Sequence, residues 1–95
     1  MRENNEVNTP LSIIETDSNI RDAVWLEEHS DRYIIEAHES GIHLSIKFTK
    51  MQTAHFMQEQ GIKAYLEKGQ TEDAARLLDK HTALEAELNA EFSVA

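Results

Sequence analysis

The chain has 95 residues, of which 40% are hydrophobic and 28% charged, with a net charge of −9. That is enough for one small globular domain and too little for a second core. The acidic balance argues against non-specific nucleic-acid binding and against docking on an anionic membrane, and the absence of cysteine excludes disulfides, thiol catalysis and cysteine-containing zinc sites.

In chain order, residues 1–10 read as a disordered arm ending at the single proline, Pro10. The remainder, 11–95, reads as one α+β domain. Leu11–Ile14 is a short apolar run, and Asp17-Ser18-Asn19 is a turn or helix cap. That cap favours a short helix over the residues that follow, but Ile20, Val24, Trp25 and Leu26 form no single helical stripe, whereas over 22–28 Val24 and Leu26 share one strand face and Trp25 the other, so of the two a strand is expected. Ile42, Leu44, Ile46 and Phe48 alternate with His43, Ser45 and Lys47, the pattern of a half-buried strand. Tyr33, Ile35 and Ala37 match that parity across Ser40-Gly41, which gives strands at about 32–39 and 42–48 joined as a β-hairpin. The N-terminal part is therefore a β-hairpin or, with the earlier segment, a three-stranded antiparallel meander.

The period then changes. Thr49-Lys50-Met51-Gln52 has capping-box form and opens a helix at about 50–68. Gly61 marks a bend or a close approach of another backbone, and Lys68-Gly69 is a helix stop. Thr71 caps a second helix at about 72–92, striped by Ala74, Leu77, Leu78, His81, Leu84, Leu88 and Phe92. The short connection makes the pair an antiparallel αα-hairpin that covers the apolar face of the sheet. This helix is too long for so small a sheet, so His81, Leu84, Leu88 and Phe92 are expected to form a homodimer interface.

Chemistry-bearing motifs are few. The three glycines cannot build a phosphate-binding loop, and no nucleophile motif is present, so no enzyme activity is expected. His38 and His43 face each other in one hairpin register, on the wet face where polar residues ordinarily lie. His55 and Glu59 are spaced i,i+4, but no second histidine completes a His-Glu-x-x-His pattern. No metal and no cofactor are therefore expected. His81 is either a core residue or a polar group that sets register or senses pH at an interface.

The acidic residues concentrate in the first half: residues 1–46 carry a net −7. Glu27, Glu28, Asp31, Glu36 and Glu39 are expected to form an acidic partner-binding face, with Trp25 and Phe56 as apolar anchors. In size, acidity and lack of a catalytic signature the chain resembles the small inhibitors of phages and satellite elements: antirepressors, anti-CRISPR proteins and DNA mimics. The resemblance covers bulk properties and transfers no residue. It implies a non-enzymatic inhibitor that sequesters a basic, DNA-binding regulatory protein by protein–protein contact, without touching nucleic acid or membrane itself. Two other readings stand beside it. One is an adaptor that grips a partner through its helical hairpin; the other is a small histidine-dependent metal-binding domain. No apolar run spans 18 residues and no basic-then-apolar leader is evident, so a cytoplasmic location is expected.

Overall fold

Three helices account for nearly all of residues 16–92, the part of the chain that the computed structural model describes. They are α1 (Thr16–Glu39), α2 (Leu44–Glu67) and α3 (Thr71–Phe92), joined by connections at 40–43 and 68–70. The expected arm at 1–10 and the Leu11–Ile14 run lie outside the described residues.

The expected α+β class is wrong, because no strand occurs among the described residues. The segments 22–28 and 32–39 lie within α1, and most of 42–48 forms the first turns of α2. The alternation over 42–48 was a misleading signal. Leu44, Ile46 and Phe48 are all exposed, so their spacing does not record a buried face. The true pattern in α1 is Ile20, Ala23, Glu27, Ser30, Ile34 and Ala37, spaced by threes and fours. Two of those six are polar and two are alanine, so the stripe is weak as hydropathy although regular as geometry. The same rhythm buries Lys47, Met51, Ala54, Gln58, Gly61 and Tyr65 on α2, and Ala74, Leu77, His81 and Leu84 on α3. Leu88 continues the α3 row at the edge of the core. A repeat of 3.5 residues on each helix is the spacing by which long helices pack side by side.

Helix ends explain the topology. Ser40-Gly41 is a turn, as its composition suggests, but it joins two helices rather than two strands. The helix 50–68 begins six residues earlier than expected, at Leu44. Thr49 is no cap: it lies inside α2, where its Oγ1 donates to the Ser45 carbonyl at 2.9 Å. The stop at Lys68-Gly69 is where it was expected. Gly69 adopts φ +74°, its N–H bonds the Leu66 carbonyl, and the Gln70 N–H bonds the Tyr65 carbonyl. Those two bonds form a Schellman motif, which requires a left-handed residue at the position Gly69 holds.

Pairings across the helices fix their directions. Asn19–Glu67 and Glu36–Lys50 set α1 antiparallel to α2. Glu27–Arg76, Asp31–Lys80 and His38–Glu87 share one separation of 49 residues, so α1 and α3 run parallel. The middle helix, α2, is the one on which both others pack. Gly61 lets α3 come close: a Cβ there would lie 2.7 Å from Leu77 Cδ2. No helix among the described residues is long and apolar enough to cross a membrane.

Candidate functional site

The core is divided along its length. One apolar cluster gathers Ala23, Tyr65, Ala74 and Leu77, with Ile20 and Ile62 against it. A second gathers Ala37, Met51, Ala54 and Leu84, with Tyr33, Ile34 and Leu88 against it. Between them every helix contributes a buried polar residue: Ser30 from α1, Gln58 from α2 and His81 from α3. Burial of polar groups is tolerated only with hydrogen bonds, so the partners define what this layer does.

Ser30 Oγ donates to the Glu27 carbonyl at 2.8 Å and is thereby satisfied within its own helix. His81 Nδ1–H donates to Gln58 Oε1 across the α2–α3 interface at 3.2 Å. That bond fixes the tautomer and leaves His81 Nε2 with a lone pair. Gln58 Nε2 is buried with no hydrogen-bond partner. The His55 ring lies against that of His81, with centroids 4.1 Å apart. Glu59 stands one turn beyond His55 on the same side of α2. His55, Glu59 and His81 each offer one ligand atom, and those atoms lie within 4.8 Å of one another. Burial holds the His81 imidazole below its ordinary pKa and the neighbouring His55 adds to this, while Glu59 and Glu85 oppose it.

The expected acidic face is placed differently. Glu27 is a buried hub rather than a surface group. Arg76 reaches both of its oxygens, through Nη2 at 2.8 Å and Nε at 3.2 Å. Lys80 stands 3.3 Å from Glu27 and 2.8 Å from Asp31. Tyr65 Oη–H donates to Glu27 at 3.4 Å. The Arg76 guanidinium is the main reason the Glu27 carboxyl is held below the usual glutamate range, against the opposing effect of burial. Glu36 is tied to Lys50 at 2.7 Å, which lowers its pKa in the same sense. Three of the five expected partner-binding acids therefore hold helices together. Only Glu28 and Glu39 lie exposed on the outside of α1.

The expected dimer interface is likewise used within the chain. Leu84 is buried between α2 and the end of α1, Leu88 packs on the same cluster, and His81 bonds Gln58. The stripe is not surplus, because α1 and α2 are as long as α3 and cover it. The side chain of Phe92 lies outside the described residues. Trp25 is 51% exposed and stacks on His29 with centroids 3.6 Å apart; Phe56 is 59% exposed. Both anchors are thus accessible, on different helices. His38 and His43 form no pair: His38 Nε2 is 3.1 Å from Glu87 Oε2, and His43 stands at the N-cap position of α2 without a side-chain capping bond.

Sequence reasoning missed the α1–α2 corner. Ile35, Ile42, Leu44, Ile46 and Phe48 are exposed there, Ile42 to 90%. Ile46 also lines an open groove with Tyr33, Ser45, Thr49, Lys50 and Thr53. The signal was present as apolar residues around a Ser-Gly turn, but the strand reading sent them to a core. Compared with protein-family models, curated proteins and solved structures, the chain matches none of them.

Proposed function

We propose that the protein is a non-enzymatic adaptor that binds an apolar segment of a partner protein at the α1–α2 corner. One observation carries this reading: among the described residues, half of the exposed large apolar side chains fall within residues 35–48. Leu44 and Phe48 stand one turn apart on α2, and Ile42 lies in the turn just ahead of them. Apolar surface of this kind is costly to leave in water and is the material of binding sites. The adaptor reading carries a cytoplasmic location with it, which the cysteine-free composition supports.

The acidic-inhibitor reading keeps one support, the net charge of −9. It loses another, because Glu27, Asp31 and Glu36 are engaged inside the bundle. The two readings separate by salt. Binding through the corner persists at high ionic strength, whereas an acidic face steering a basic partner weakens steeply. The experiment is a pull-down at low and high salt with wild type, with Ile42→Asp/Leu44→Asp, and with Glu28→Lys/Glu39→Lys. Partner retained at high salt and lost only with the apolar pair supports the adaptor. Partner lost with salt and with the charge reversal overturns it in favour of the inhibitor. Mass doubling abolished by the apolar pair would identify the occupant as a second copy of this chain.

A further inference from the structure

We propose that His55, Glu59 and His81 form a binding site for a divalent transition-metal cation of the zinc class, linking α2 to α3. Two imidazoles and one carboxylate are a ligand set that zinc accepts with a remaining position for water. The sequence alone places only two of these groups together, His55 and Glu59 on one face of α2. The third comes from α3, because antiparallel packing sets His81 against the same turn of α2. All three ligand atoms lie within 4.8 Å of one another.

His81 is held as a metal ligand is held. His81 is 9% exposed and its Nδ1–H is held by Gln58 Oε1, so Nε2 keeps its lone pair. Metal-binding histidines characteristically donate their other N–H to a carbonyl or carboxylate in this way. His55 is half-buried and Glu59 exposed, so the group opens to solvent on one side and a cation has a way in. Ligand bonds of about 2.0–2.1 Å set tetrahedral ligand separations of roughly 3.3 Å. Closure from the present spacing therefore asks for about 1.5 Å of side-chain movement, within reach of the exposed, flexible Glu59. Nitrogen ligands disfavour calcium and magnesium, which take all-oxygen shells.

The site also accounts for the position of Gln58. An amide buried at the centre of a bundle leaves Nε2 unbonded, a cost that an apolar residue would avoid. Its oxygen orients His81, and that is the one task here that leucine could not perform.

The test is calorimetric titration of the full chain with Zn²⁺, with Ca²⁺ as the control, and with Co²⁺ to read coordination from its visible spectrum. One Zn²⁺ per chain, no Ca²⁺ binding and a tetrahedral Co²⁺ spectrum are expected. His55→Ala and Glu59→Gln alter groups that are not fully buried, and their folding is checked by circular dichroism. Each is expected to weaken Zn²⁺ at least 10-fold, and Gln58→Leu by about 10–100-fold through loss of the orienting bond. His38→Ala/His43→Ala is expected to change nothing. Absence of Zn²⁺ binding, or binding that survives His55→Ala and Glu59→Gln unchanged, overturns the proposal. So does binding that disappears with the His38/His43 pair, which would place the ion elsewhere.

Discussion

Replacing Glu27 with Gln tests the view that one carboxylate joins α1 to α3. The substitution keeps size and removes charge. Arg76 loses a two-pronged ion pair, and Lys80 keeps only Asp31. Hydrogen bonds to charged groups are worth about 1.5–3 kcal/mol each in buried settings. That figure must be discounted, because Arg76 is 49% and Lys80 37% exposed and both regain water. The net loss is expected to be about 1.5–3 kcal/mol. At roughly 4–8 °C per kcal/mol for a domain of this size, Tm falls by about 6–24 °C. Urea and thermal unfolding followed by circular dichroism measure it, with Glu28→Gln on the outer face as the control. The pH dependence has a defined sign. Glu27 is held below its ordinary value of 4.5, so its contribution is fully present above that value and is lost as pH falls through the lower folded one. The Gln variant flattens that part of the acid limb. A Tm within 2 °C of wild type, or an acid limb unchanged in slope, would refute the assignment of Glu27 as the α1–α3 link; the ~2 °C bound corresponds to under ~0.5 kcal/mol.

Three further outcomes follow from the packing. Gly69→Ala puts a side chain at φ +74° and is expected to cost about 1–2 kcal/mol in urea unfolding, although nothing lies within 4 Å of the new Cβ. Leu84→Ala is expected to cost about 2–5 kcal/mol, with sedimentation unchanged, since Leu84 fills the chain's own core. Gln58→Leu is expected to leave metal-free stability within about 1 kcal/mol of wild type, because it removes the orphan Nε2 but strands the His81 Nδ1–H, while it weakens Zn²⁺. A larger loss of stability than that in chelator would show that the His81 bond, not the orphan N–H, dominates at that position.

The second half of the fold was legible because its signals are local. Gly69 after a basic residue can end a helix without help from distant residues, and the leucines of α3 repeat at 3–4 spacing in plain hydropathy. The first half was not, because α1 buries Glu27 and Ser30 in its core row and exposes Val24, Trp25 and Ile35. A reader of hydropathy therefore sees the wrong face. What makes Glu27 a core residue is Arg76 and Lys80, 49 and 53 positions away, and no window along α1 contains them. The exposed run at 42–48 then supplied an alternation that burial never enforced. Local apolar periodicity is informative only where the apolar residues are the buried ones, and in this chain that holds for α3 and fails for α1.

The same reasoning separates the candidate site from its surroundings. His55 and Glu59 in isolation are an ordinary solvated pair on a helix, and His81 in isolation is an ordinary polar intrusion in a leucine stripe. Neither observation carries a function. Antiparallel α2–α3 packing brings the two together, and Gln58 adds an orienting bond that neither pair would need alone. A polar layer whose only role was to fix helix register would be best served by groups that satisfy one another, since partly satisfied networks cost stability. Here Ser30 is satisfied, while Gln58 Nε2 has no partner and His81 retains a lone pair within a group whose ligand atoms gather His55 and Glu59. The residual demand is thus concentrated on one side of the layer, at the α2–α3 seam, beside a solvent-accessible carboxylate. That asymmetry is the physical ground for looking there for a bound cation, and it places the metal site and the apolar α1–α2 corner on separate parts of the molecule.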